Sequence, residues 1–150
     1  MIKFTVYGPP KPQARHRMGK GFSYDPSAKI KDNLLQCVQQ YRPAIPLKGP
    51  LRIDLIFWFP RPKKHFYTGK RANELREDAP FFYTCKGRND FDNLAKLVCD
   101  ALNGIFFEDD GQIAVAHVFK YYSISPKTEV EITEITGIYG DNPRSYQGLL

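Results

Sequence analysis

Two pairs of acidic side chains bracket one short stretch of the chain. Asp90 and Asp92 stand in Asn89-Asp-Phe-Asp-Asn, and Asp109 and Asp110 stand in Phe107-Glu-Asp-Asp-Gly-Gln-Ile. Residues two apart on an extended chain project from the same face, so Asp90 and Asp92 can share one cation. A short loop over residues 105–108 would let the chain return Asp109 or Asp110 toward that pair. Three carboxylates within about 5 Å would repel by roughly 3 kcal/mol per pair at an effective dielectric near 20. A hard divalent cation offsets that cost, and an all-oxygen donor set favours Mg2+ or Mn2+ over zinc. The stretch is not a calcium loop, because an EF-hand starting at Asp90 needs Gly where Ala95 stands and Glu where Ala101 stands. Lys96 follows Asp92 at the i,i+4 spacing that sets an ammonium beside a carboxylate on a helix. Either acidic pair alone reads as a helix cap or a polar turn. Together, around one helix in a basic chain, they describe a metal-assisted site.

The elements that must position these groups follow from periodicity. Asp92 or Asn93 is placed to cap a helix in which Leu94, Leu97, Val98, Ala101 and Leu102 form an apolar stripe, and Asn103-Gly104 stops it. Asp100, near its end, reads as a structural hydrogen-bonding group. Ile2–Tyr7 alternates in the manner of a half-buried strand, and Gly8-Pro9-Pro10 ends it. A long loop rich in Lys, Arg and Gly runs to Tyr24, and Asp25-Pro26 starts a packing helix carrying Ile30, Leu34, Cys37, Val38 and Tyr41. Residues 51–59 set Leu51, Ile53, Leu55, Phe57 and Phe59 on one face and Ile56 and Trp58 on the other, which predicts a central strand with Trp58 in the core. Residues 71–77 allow a helical turn or two before Pro80. Residues 113–122 and 129–136 are strands joined by Ser125-Pro126-Lys127 as an antiparallel hairpin. The expected fold is α+β: a single domain over residues 1–136 with a mixed four-stranded sheet and two main helices, ordered β-α-β-α-β-β, then a tail over 137–150.

The charge distribution suggests the partner. The chain carries 22 Lys and Arg against 16 Asp and Glu, a net charge of +6, which favours a polyanion. Residues 9–31 hold Lys11, Arg15, Arg17, Lys20, Lys29 and Lys31 against Asp25 alone, and residues 61–88 hold Arg61, Lys63, Lys64, Lys70, Arg71, Arg76, Lys86 and Arg88. From Asp100 onward the sign reverses. Two basic loops leading to a carboxylate cluster fit a phosphate backbone docked beside a metal. The DNA-contacting candidates are Lys11, Arg15, Arg17, Lys20, Lys63, Lys64, Lys86 and Arg88, with His16 as a further phosphate contact. Cys37, Cys85 and Cys99 are scattered and unpaired in spacing, which argues for reduced thiols. With no apolar run of signal-peptide or membrane-span length, a soluble cytoplasmic protein is expected. His65 and His117 have no partners at motif spacing and stay outside the site.

Three blocks carry a resemblance: Asp90-Phe-Asp-Asn-Leu-Ala-Lys96, Asp100-Ala-Leu-Asn-Gly104 and Asp109-Asp-Gly-Gln-Ile113. In order and spacing they resemble the RusA family of Holliday-junction resolvases, especially its phage-borne branch. A weaker likeness at Gly8-Pro-Pro-Lys-Pro12 with Arg15 and Arg17 extends it over most of residues 1–136. Phage members often have Pro before the first Asp, where this chain has Asn89. The resemblance implies a Mg2+-dependent endonuclease that resolves four-way DNA junctions by paired nicks, with Mn2+ as a substitute. It implies that Asp90, Asp92 and Asp110 hold the metal, that Asp109 assists, and that Lys96 orients water or neutralises the phosphate. It also implies a homodimer, for which Phe106-Phe107 and residues 115–119 are candidate contacts. A less selective nuclease is the alternative activity. A binding protein without catalysis would show gaps among the four charged positions, and all are filled.

Overall fold

The computed structural model describes residues 1–84 and 86–135. In chain order its elements are strand β1 (Ile2–Tyr7), the short strands β2 (Arg17–Met18) and β3 (Ser23–Tyr24), helix α1 (Ala28–Val38), strand β4 (Leu51–Pro60), helix α2 (Phe91–Leu102), and strands β5 (Ile113–Ser123) and β6 (Lys127–Glu134). Four strands form one sheet in the order β1-β6-β4-β5, with β4 antiparallel to β6 and parallel to β5. The parallel pair requires a crossover, and the segment containing α2 supplies it. The expected mixed four-stranded sheet with two main helices is what the chain forms. The tail over 137–150 and the last residue of the fourth expected strand lie outside the described residues.

One layer of side chains joins sheet to helices. Along β4, Leu51, Ile53, Leu55, Phe57 and Phe59 are buried, and they meet Leu94, Leu97, Val98, Ala101 and Leu102 of α2 and Leu34 and Val38 of α1 in a single core. The whole predicted stripe of α2 is therefore inside. The opposite phase of β4, Arg52, Asp54, Ile56 and Trp58, is only half-buried, because both helices lie on the other side. The strand is central in the sheet as expected, between β6 and β5, but Trp58 is not in the core as expected. Trp58 sits on the open face with Tyr121, and its indole N–H donates to Glu129 at 2.6 Å. His117 is on the same face, its Nδ1 2.7 Å from Asp54.

Three local expectations are corrected. The loop before Tyr24 contains the β2–β3 hairpin, closed by Gly19 N–H to the Phe22 carbonyl, with Gly21 at φ 80° where only glycine is unstrained. Residues 71–77 form no α-helix; the segment has 3-10 turns at Lys63–His65 and Gly69–Arg71 instead, since it offers no apolar stripe to bury. Phe106 and Phe107 are fully buried in this chain's own core, so they are unavailable as an exposed dimer contact.

Candidate active site

The chain enters α2 through Asn89 and Asp90. Asp90 is the residue at the N-cap position, with φ −65° and ψ 150°, so the cap lies two residues before Asp92 and three before Asn93, the expected caps. Its side chain nevertheless makes no capping bond. Asp92 falls in the first helical turn. Both carboxylates are exposed, and neither takes part in an ion pair or side-chain hydrogen bond among the described residues. The capping explanation of the first acidic pair thus fails for the side chains themselves.

A cavity of about 420 Å³ opens beside Asp90, walled by Gln13, Arg15, His16, Arg17, Arg88 and Asn93. Two separate stretches of sequence build it. The Gln13 N–H donates to the Asn93 carbonyl at 2.9 Å, which fastens the amino-terminal basic loop to the first turn of α2. Gln13 also donates to Asp25, and the Ala14 N–H donates to the hydroxyl of Ser27. Asp25 accepts from the Ser27 N–H and from Lys31 at 2.6 Å. That ring of donors, the Lys31 ammonium foremost, holds the Asp25 carboxyl at about 2. Of the expected DNA contacts, Arg15, Arg17 and Arg88 converge here. Lys64 lines a neighbouring cavity of about 440 Å³ with Pro9, Pro10, Phe59, Tyr83 and Asn89, and Lys11 a third with Val6, Tyr7 and Leu34. Lys20, Lys63 and Lys86 are exposed, and the structure does not bring them to Asp90's cavity.

The carboxyl-terminal half of α2 carries a second charged group. Lys96 pairs with Asp100 at 3.3 Å rather than with Asp92, and Lys31 holds the same Asp100 oxygen at 3.2 Å. Asp100 is the structural residue expected, a link between α1 and α2. Lys96 remains largely exposed, sharing its acid with another cation. Asp110 opens a 3-10 turn at Asp110–Gln112, where Asp109 is the cap and accepts from the Gly111 N–H at 2.8 Å. Gln112 reaches back to donate to the Leu47 and Gly49 carbonyls. Burial first, and then the charges of Asp110 and Asp100, push the Cys99 thiol up to about 11. Among the described residues no three acidic, His or Cys side chains form a metal-binding group. Between α2 and the Asp110–Gln112 turn the chain bends at Gly104, φ 75°, and buries Phe106 and Phe107.

The donors suit a hard cation in kind. They are unspent carboxylate oxygens, and Mg2+ characteristically takes one or two protein carboxylates while keeping water and substrate phosphate as its other ligands. Asp90 and Asp92, two residues apart at the helix start, are the exposed carboxylates available for such a pair.

Sequence reasoning missed Lys120. It lies on β5 opposite Phe57, in the phase of Val118 and Tyr122 that faces the helices, and its ammonium donates to the Asn89 carbonyl at 3.1 Å. A lysine in the apolar phase of a strand was the available signal. No helix among the described residues is long and apolar enough to cross a membrane.

The sequence matches the family described as endodeoxyribonuclease RusA over residues 7–133. It is also 36% identical over 141 residues to a Bacillus subtilis (strain 168) protein called uncharacterized protein YqaN, across 90% of this chain and 97% of that one.

Proposed function

This chain belongs to the RusA endodeoxyribonuclease family, and we propose that it resolves four-way DNA junctions by Mg2+-dependent paired nicks as a homodimer. One observation carries the reading. Asp90 stands in a cavity with Arg15, Arg17 and Arg88 and pairs with none of them among the described residues. An acid left free among three arginines fits a site completed by a cation and a phosphate, each matched to the charges already there.

Arg15, Arg17 and Arg88 receive phosphates, because guanidinium groups bind phosphate oxygens in bidentate fashion. Asp90 and Asp92 would hold Mg2+, which when bound supplies an activated water and neutralises charge developing on the phosphate. Lys96 turns from Asp100 to the phosphate at little cost, since an exposed ion pair is worth under about 1 kcal/mol and Lys31 stays on Asp100. Asp110 is assigned to the same site through its place in the family motif. No three acidic side chains form a metal-binding group among the described residues, and closure on DNA would complete the set. Two copies are needed in any case for two opposed nicks, and a two-fold axis matches the symmetry of the junction.

The test is a cleavage gel with labelled four-way junction, linear duplex and single strand, each with Mg2+ and with chelator. Paired nicks in the junction alone, only with Mg2+, are expected. Equal cutting of linear duplex would establish the less selective nuclease instead.

A further inference from the structure

We propose that Lys120 is a positioning residue for Asp90, holding the turn from which that carboxylate emerges. The inference rests on the reading of Asp90 as a catalytic carboxylate.

Four hydrogen bonds tie the entry to α2 to the edge of β5. The Lys120 ammonium donates to the Asn89 carbonyl at 3.1 Å, one bond from the Asp90 nitrogen. The Asn89 side-chain amide donates to the Tyr83 hydroxyl at 2.8 Å. The Tyr83 N–H donates to the backbone carbonyl of Lys120 at 3.0 Å, and the Tyr122 N–H to that of Phe81 at 2.9 Å, so residues 81–83 add a bridge to the edge of β5. Tyr83 itself stacks on Phe59 with ring centroids 3.7 Å apart, and the Lys120 ammonium lies 5.5 Å from its ring centroid. Asn89 is thus pinned through its main chain by β5 and through its side chain by a tyrosine wedged into the sheet.

Lys120 is half-buried on the inner phase of its strand. Its phase of β5 faces the helices, where its neighbours two residues away are Val118 and the buried Tyr122. Lys120 is half-buried there, and a hydrogen bond offsets the cost of covering its polar end. It forms no ion pair with a carboxylate among the described residues, and its acceptor is the carbonyl of the residue that precedes Asp90. Asn89 stands where phage members of the family often have proline, which would stiffen this turn by itself. Here a lysine and a tyrosine from the sheet supply the restraint.

Lys120→Met removes the bond while keeping the side chain's length, and Tyr83→Phe removes only the hydroxyl, a mild change that keeps the stacked ring. Single-turnover junction cleavage is expected to fall by about 10- to 100-fold in Lys120→Met, the scale of loss when a reacting group is displaced by about 1 Å. Tyr83→Phe is expected to lose less, and Lys120→Arg to recover most of the rate. Junction Kd, the slope of log K against log salt, and the thermal unfolding midpoint of Tyr83→Phe should match the parent. Unchanged cleavage in both Lys120→Met and Tyr83→Phe overturns the inference. A salt slope smaller by about 1 in Lys120→Met also overturns it, because Lys120 then contacts a phosphate directly. Should Lys120→Met not fold, the Tyr83→Phe rate decides alone. Asp90→Asn, measured alongside, separates the two levels: if it cleaves normally the active-site reading fails, and if it is inactive while the Lys120 and Tyr83 variants are normal only this inference fails.

Discussion

Replacing Asp25 by Asn should destabilise the protein and loosen the basic loop at once. Asp25 accepts from Lys31, Gln13 and the Ser27 N–H, and Lys31 carries the link on to Asp100 in α2. The carboxyl is held at about 2 against an ordinary 3.8. At 1.36 kcal/mol per pH unit that difference is worth about 2.4 kcal/mol. Partial contact with water takes it toward about 1–2 kcal/mol. Because the folded value is depressed, this stabilisation is fully present above about pH 4 and is lost as pH falls toward 2. Urea unfolding at pH 7 should therefore show Asp25→Asn less stable by about 1–2 kcal/mol, and the gap from the parent should close between pH 4 and 2. Lys31 works in the opposite direction. Burial opposes its charge, but the bonds from Asp25 and Asp100 outweigh burial and raise it above 10.5, so its contribution fades only as pH rises past that value. A gap that is absent at pH 7, or one that persists undiminished at pH 2, would refute the role given to this network.

Two further outcomes concern the basic surface and the assembly. Arg15→Ala and Arg17→Ala should each reduce the slope of log K against log salt by about 1 for junction binding; unchanged slopes would place the amino-terminal loop away from DNA. Sedimentation at micromolar concentration should give about twice the chain mass of 17.3 kDa, and a strict monomer that nicks both strands in one binding event would remove the need for a dimer.

The parts of the fold that could be read in advance were those where one physical rule acted alone. The α2 stripe from Leu94 to Leu102 was legible because every apolar residue at helical spacing faces the same core. The four strands were legible from alternation. Trp58 was misplaced because Ile56 and Trp58 are apolar enough to look buried, and nothing local says that both helices pack on the other side of β4. In the site, Asp90 and Asp92 were recognisable from residue type and spacing. The convergence of Arg15 and Arg17 on Asp90 was not, since it depends on the bond from Gln13 to Asn93 across eighty residues of sequence. Nor did the i,i+4 spacing decide Lys96, which has an acid at that spacing on either side and pairs with Asp100. Lys120 escaped notice because its acceptor is a backbone carbonyl, which leaves no trace in side-chain composition.

The most direct measurement of the central claim compares Asp90→Asn with the parent protein on one labelled four-way junction in Mg2+, recording binding and cleavage together. Binding should be retained, because Arg15, Arg17 and Arg88 remain, while cleavage should fall by several orders of magnitude, roughly the contribution of a metal-assisted step. Near-normal cleavage by Asp90→Asn would contradict the assignment of this carboxylate to catalysis.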